Sequence, residues 1–463
     1  MATILCPRLF LIQIDTAIRG GRDWKSLFMQ AIKFSVKHLA FLLLVLLGST
    51  SMCLYWSRIM GAGTAKSTSP SVSKPSPLGD FYPRWYGARE LLLHHRDPYS
   101  DAVSRELQIA YYGKELDPSR PEERQDQQRF AYPLYFVFFV APLVGMDFHT
   151  VRVVFWWVLA ICAIVNVLLW LRFVRLRLSP SSLAVLFALV LTSIPVLQDL
   201  SILQPLMLAA GFIAGASLAA ASGSLFMAGA LLALATIKPQ ICLFPIAWVA
   251  LWVCSDWKHR RRFFWGFVTA LATLLLASEW LLPGWLIRYP GVLRAYANYT
   301  RASSFLGALL PFPWDWLVKL LVLITVAEFC WRVRRQQADS PAFAVALSLV
   351  LILTVTSVPA MVQPFNHVLL LPPVLVVIRN WRELREGNVG KRIATSIFCL
   401  CISLPWLLAI VAVWNPLARD RDWVLKGFWS VPLAASMALP FAAFAVLILL
   451  RNVASMPTEP LLE

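Results

Sequence analysis

Residues 150–171 read TVRVVFWWVLAICAIVNVLLWL, and Arg172, Arg175 and Arg177 follow directly. At about 1.5 Å per residue, such a run crosses the roughly 30 Å hydrocarbon core of a bilayer as a helix. Lipid offers the backbone no hydrogen-bond partners, so only helices or closed barrels span it, and the two-residue alternation of a barrel strand is absent here. The stretch therefore predicts a membrane helix that ends in a basic cluster.

The rest of the chain repeats this pattern. Apolar runs recur at 36–57, 181–198, 203–221, 224–237, 240–254, 263–283, 313–331, 341–358, 365–379, 394–414 and 429–450. Of 463 residues, 59% are hydrophobic and 14% charged, against about 25% charged in a soluble domain. Mean hydropathy is +0.66. The reading is an all-α polytopic membrane protein with about twelve transmembrane helices and no sizeable soluble domain. Several runs fall short of the usual span length of about 20 residues, which predicts helices buried against neighbours.

The formal charge of +17 does not point to nucleic acid. The basic residues fall in short clusters between apolar runs: Arg172/Arg175/Arg177, Lys258/Arg260/Arg261/Arg262, Arg332/Arg334/Arg335 and Arg379 to Arg392. That is the positive-inside pattern. With a cytoplasmic N-terminus, twelve spans place every one of these clusters inside. The same count places outside 58–130, the Asp199–Gln204 turn, the Lys238-Pro239 turn, 284–312, Ser357–His367 and 415–428. Ala131–Met146 is apolar but short. Counting it gives thirteen spans and moves Arg172–Arg177 outside, so we read it as a re-entrant or surface helix entered through Tyr132-Pro133, with thirteen as the rival count.

The domain plan is a cytoplasmic leader (1–35), a membrane domain (36–450) and a cytoplasmic tail (451–463). Arg19, Arg22, Lys25 and Lys33 mark the leader, and Met29 is an alternative start. Within the large outer loop 58–130, residues 62–78 read as a flexible lead-in, 80–99 as a short amphipathic helix at the membrane surface, and 115–129 as a charged stretch. The eight cysteines lie mostly in apolar runs and form no metal-ligand or disulfide framework.

The polar residues of the outer segments carry the candidate chemistry. Asp80, in Gly79-Asp80-Phe81-Tyr82-Pro83-Arg84, serves either as a general base at the mouth of the bundle or as the N-cap of the following helix. Lys238 either holds a phosphate or snorkels to the interface. His367 either donates a hydrogen bond to a leaving phosphate or is satisfied by backbone. Gln204 and Asp199 share a turn, and Asp199 reads as an ordinary hairpin acid. His94-His95 diverge on a helix and make no metal face, while Glu279 and Glu328 read as structural.

In order, these pieces resemble the integral-membrane GT-C glycosyltransferases, and among them glycosyltransferase family 87. The resemblance lies in Asp80-Phe81, Ala88 to Leu92 leading to Asp97-Pro98-Tyr99, Tyr132-Pro133-Leu134 without a second Pro, Leu203-Gln204 without a Gly, Lys238-Pro239-Gln240, and His367 to Pro372. It covers residues 36–380. The resemblance implies a GT-C fold and inverting transfer of a hexose, typically mannose, from a polyprenyl-phosphate-linked donor to a lipid or glycan acceptor. It implies Asp80 as the base, Lys238 and His367 on the leaving phosphate, and Arg84 and Gln204 as further binding residues. The setting implied is the outer face of a bacterial inner membrane. No cofactor is implied; a divalent ion, which some GT-C enzymes bind through several acids, finds only Asp80 in the expected place. Rival classes are a lipid-linked sugar flippase, which needs charges lining a path through the membrane middle, and a non-catalytic subunit of an envelope polysaccharide assembly.

Overall fold

The computed structural model describes residues 24–60, 78–117, 127–300, 303–415 and 430–450. Most of the leader, the lead-in up to 77, residues 118–126, the 416–428 part of the last outer loop and the tail lie outside the described residues.

Every regular element among the described residues is helical. In chain order these are α1 (Trp24–Leu54), α2 (Tyr82–His94), α3 (Asp101–Tyr112), α4 (Phe136–Val140), α5 (Phe148–Phe173), α6 (Pro180–Leu191) and α7 (Ile194–Ile202). Then come α8 (Leu206–Ala221), α9 (Leu225–Ala235), α10 (Pro239–Cys254), α11 (Trp257–Leu281), α12 (Trp285–Thr300), α13 (Phe305–Leu309) and α14 (Trp314–Val333). The chain continues with α15 (Pro341–Ser357), a 3-10 segment (Pro364–Leu370), α16 (Leu371–Arg379), α17 (Trp381–Glu386), α18 (Val389–Trp414), α19 (Val431–Ser436) and α20 (Leu439–Leu450).

Each of the twelve apolar runs falls on one of these helices or pairs. Among the described residues, five segments are long and apolar enough to cross a membrane: His38–Met60, α5, α11, α18 and Val431–Leu450. A sixth follows if α6 and α7, bent by 53°, are one span. The protein is thus an all-α membrane protein. The other apolar helices are shorter, as the run lengths predicted. Ala131–Met146 breaks into α4 and a 3-10 turn at Ala141–Leu143, too short to cross.

Local chemistry sets the helix starts. Asp147 accepts from Thr150 N at 3.0 Å and opens α5, Ser179 from Ser182 N at 3.2 Å before α6, Ser340 from Phe343 N at 3.2 Å before α15, and Asn388 from Lys391 N at 3.0 Å before α18. Each satisfies one of the free N–H groups of a first helical turn.

Packing then sorts the helices. In α15 every residue from Ala342 to Thr356 is buried, and a helix apolar on all sides belongs at the centre of a bundle. Helices α9 and α11 cross backbone to backbone. A Cβ on Gly229 would lie 2.0 Å from Phe263 O, and one on Gly266 would lie 2.0 Å from Phe226 O. Lipid tails are as apolar as leucine, so close approach through small residues is what binds such helices together.

The basic clusters meet at one end of the bundle. The buried Arg260 guanidinium donates to the carbonyls of Trp252 (2.7 Å), Arg334 (2.8 Å), Arg335 (3.0 Å) and Gln336 (2.9 Å). It thereby caps the C-terminal ends of α10 and α14, where free carbonyls and the helix dipole favour a cation. Arg175 pairs with Asp339 at 2.7 Å and draws the loop after α5 to the same end.

Gly229→Ala and Gly266→Ala are expected to destabilise the detergent-solubilised protein by about 1–3 kcal/mol each, the usual penalty for overpacking. Gly291→Ala, which meets open space inside α12, should not lower the melting temperature, since alanine is the better helix former.

Candidate active site

The site starts from a backbone bond. Asp80 N–H donates to Ile202 O at 2.7 Å, joining the segment before α2 to the last residue of α7. Two residues with positive φ make this approach possible. Gly79 has φ +65°, and a Cβ there would lie 3.0 Å from Ile202 O. Leu203 has φ 58° and closes α7 in the left-handed conformation, so that Gln204 N–H returns to Asp199 O at 3.0 Å. Leu203 occupies the place where the family pattern carries glycine, and it adopts the conformation that glycine favours.

Helix α2 begins at Tyr82 and its N-cap position is Phe81, with no side-chain cap. The capping alternative for Asp80 is therefore corrected: Asp80 precedes the cap, and its carboxylate turns instead to Gln204. The Gln204 amide donates to Asp80 Oδ2 through Nε2. Its Oε1 accepts from Lys238 Nζ and from Tyr132 O–H, each at 3.4 Å. Lys238 also lies over the Phe365 ring at 4.7 Å, and the Arg84 guanidinium lies over the Tyr132 ring at 4.8 Å while donating to Asp80 O. Arg84, Gln204 and Lys238 are buried, whereas Asp80 is only half-buried.

Four of the five residues singled out from sequence thus converge, from segments far apart in the chain. His367 does not join them. Its buried ring lies edge-on to Phe305, 5.6 Å between centroids, and beside the Ser436 backbone.

Asp199 was passed over as a hairpin acid, yet it is fully buried and neither carboxylate oxygen completes a hydrogen bond. It interacts electrostatically with both Lys238 and Asp80. Independent contacts locate it. Gln198 Oε1 accepts from Phe365 N at 2.8 Å and Asp199 O from Gln204 N, so both groups touching the Lys238 ammonium hang from the turn that carries Asp199. An isolated acid within an apolar run is itself a signal of function.

Asp97-Pro98-Tyr99 also acquires a place. Asp97 Oδ1 accepts from Tyr99 N at 2.8 Å, and Oδ2 pairs with Arg288 of α12. Tyr99 O–H donates to Tyr132 O at 2.8 Å, fixing the segment whose ring meets Arg84. A clasp holds α2 to α3: Arg96 binds Glu90 at 2.7 Å and Glu106 at 2.6 Å, and Tyr86 O–H donates to Glu106 at 2.8 Å. Hydrogen bonding from Arg96 holds the Glu106 carboxyl below its ordinary 4.5. The clasp is therefore complete above that pH and is lost only as pH falls through the lower folded value.

The site lies at the end of the bundle opposite the basic clusters. Lys238 opens α10 and Trp252, which binds Arg260, closes it, about 20 Å away at 1.5 Å per residue. Phe155, stacked on Phe81 at 3.6 Å, lies in the first third of α5, and Arg175 lies beyond that helix's far end.

The model of glycosyltransferase family 87 matches residues 130–359. The chain carries a glycosyltransferase family 87 domain, which includes Tyr132, Asp199, Gln204 and Lys238; Asp80, Arg84 and His367 lie outside the matched stretch. No curated protein and no solved structure matches the chain.

Gly79→Ala is expected to lower stability by about 1–2 kcal/mol, the left-handed penalty for a Cβ, and more where it presses on Ile202 O. Gly113→Ala, with φ +72° in open space, carries the conformational penalty alone. The difference between the two melting temperatures reports the contact.

Proposed function

We propose that this glycosyltransferase moves a hexosyl group, mannosyl by the family resemblance, from a polyprenyl-phosphate-linked donor to an acceptor hydroxyl. The reaction takes place at the outer face of a bacterial inner membrane, on a GT-C bundle of about twelve spans. The observation carrying this reading is the chain of contacts Asp80–Gln204–Lys238, which sets a half-buried carboxylate and a buried cation at opposite ends of one amide.

In the proposed step the acceptor oxygen attacks C1 of the donor sugar as Asp80 takes its proton. The C1–O bond to phosphate breaks on the opposite face, with inversion, and the electron pair leaves with the polyprenyl phosphate. Gln204 points one Asp80 oxygen by donating to it and leaves the other to accept the proton. Lys238 meets the charge that grows on the leaving phosphate, with Arg84 as second cation, as electrostatic catalysis requires. Asp199 is the counter-charge that favours the ammonium form of buried Lys238, since burial alone disfavours it. His367, turned to Phe305, is given no step.

The test is transfer by the purified protein from polyprenyl-phosphate-mannose. Asp80→Asn should lower kcat by about 10²–10⁴-fold, the range for general-base loss, with the fold intact. Full transfer by a folded Asp80→Asn protein would remove the base assignment. Lys238→Gln should reduce kcat/KM for the donor by at least about tenfold, the equivalent of losing one charge-assisted hydrogen bond of 1.5–3 kcal/mol.

A further inference from the structure

Where α11 gives way to α12, three buried polar atoms make no hydrogen bond among the described residues: Glu279 Oε2, Trp285 Nε1 and the Tyr289 hydroxyl oxygen. A buried donor or acceptor left unpaired carries the full desolvation penalty of its group, so three at one junction call for a partner. The junction itself is firmly held. Glu279 Oε1 accepts from Gly284 N, which ties the end of α11 to the start of α12. Arg288 donates to the Pro283 carbonyl at 2.6 Å and pairs with Asp97, which pins α12 to the connection between α2 and α3.

Ring contacts place these atoms against the site. Trp285 is 1% exposed. Its ring meets that of Tyr135 edge-on at 6.2 Å and that of Tyr289 at 5.7 Å, and Tyr289 meets Tyr99 at 6.1 Å. Tyr135 O–H donates to the carbonyl of Thr236, two residues before Lys238, at 2.9 Å. Tyr99 O–H holds the carbonyl of Tyr132, whose own O–H donates to Gln204. The Tyr289 hydroxyl also interacts electrostatically with those of Tyr132 and Tyr135. Helix α12 therefore lies along residues 132–135, which reach from Gln204, the partner of Asp80, to the approach of Lys238. An in-line displacement puts the transferred group in that interval, between base and leaving phosphate. Aromatic rings offer apolar faces to the C–H groups of a sugar, while an indole N–H, a phenol and a carboxylate suit its hydroxyls.

We infer that Glu279, Trp285 and Tyr289 hold the hydroxyl groups of the donor's hexosyl unit, with the indole N–H and the phenol donating and Glu279 Oε2 accepting. This rests on the proposed glycosyl transfer and adds the residues that recognise its sugar. A site built to bond hydroxyls penalises a ligand that lacks them, because its own polar groups then stay unpaired.

The experiment measures binding to the full chain in nanodiscs of zwitterionic lipid by isothermal titration. The ligands are polyprenyl-phosphate-mannose and polyprenyl methyl phosphate, a diester with the same charge and tail and no hexose. Wild type should bind the mannosyl diester at least about tenfold more tightly. Tyr289→Phe should weaken that binding at least about threefold and Glu279→Gln about tenfold, the second being a charge-assisted bond, while neither changes affinity for the methyl diester. Trp285→Phe, which keeps a ring and removes the N–H, should act as Tyr289→Phe does. The melting temperature of Tyr289→Phe should not fall, since the lost hydroxyl bonds no described residue. Equal binding of both diesters by wild type, unchanged mannosyl affinity in all three variants, or parallel loss of both ligands would overturn the inference; the last would make these residues structural. A folded wild type that binds neither diester would strike the proposed donor, and the inference with it.

Discussion

The site depends on one hydrogen bond, from Asp80 N–H to Ile202 O. It brings together two segments separated in sequence by the five helices α2 to α6. It also requires both chains to turn sharply: Gly79 through its positive φ, and Leu203 through a left-handed conformation that a non-glycine residue adopts at a penalty of about 1–2 kcal/mol. That penalty is tolerated because Leu203 is buried, and its apolar contact offsets the backbone term. Everything polar in the site hangs from this junction. Gln204 follows the turn directly, Asp199 precedes it by one helical turn, and Arg84 lies in the first turn of the helix that Gly79 leads into.

The bundle sorts its charges by the same logic at both ends, using them as connectors. At the basic end Arg260 gathers carbonyls from two helix termini and the loop beyond, so a buried cation closes the architecture there. At the other end the Arg96–Glu90–Glu106 clasp and the Asp97–Arg288 pair fix α2 and α3. Tyr99 then carries that fixation inward to the Tyr132 carbonyl. These contacts and the site are thus one network, which holds the Asp80 segment against Ile202 and Gln204.

Much of this was legible in the sequence. Helix positions were, because lipid forces every apolar run to satisfy its backbone internally, and no tertiary context overrides that. The gathering of Asp80, Gln204 and Lys238 was legible through charge asymmetry, which sorts loops to one side without saying which loops touch. Asp199 was not, because local pattern cannot separate an acid at a turn exposed to water from one folded under it; that depends on where α8 and the 3-10 segment pack. Nor was the setting of His367, whose ring within Pro364–Leu370 meets Phe305, a residue far from it in sequence. The helix start at Tyr82, two residues past Asp80, lay below what sequence resolves, because Phe81 caps without a side-chain bond.

On the proposed reaction, the arrangement has an electrostatic rationale that reaches beyond the individual contacts. The cluster sets two cations, Arg84 and Lys238, beside two acids, Asp80 and Asp199. A phosphodiester-linked donor adds one negative charge. As the reaction proceeds, Asp80 gains a proton and loses its charge, while the departing phosphate monoester gains one. The total does not change; a negative charge moves from the Asp80 end of the contact chain to the Lys238 end. Buried sites resist creating charge far more than relocating it between prepared positions. A glutamine between the two ends suits this transfer, because its fixed dipole presents N–H to the carboxylate and oxygen to the ammonium. Asp199, fully buried beneath the turn, is closed to a substrate hydroxyl, and in the proposed reaction Asp80 is the acid left open to act as base.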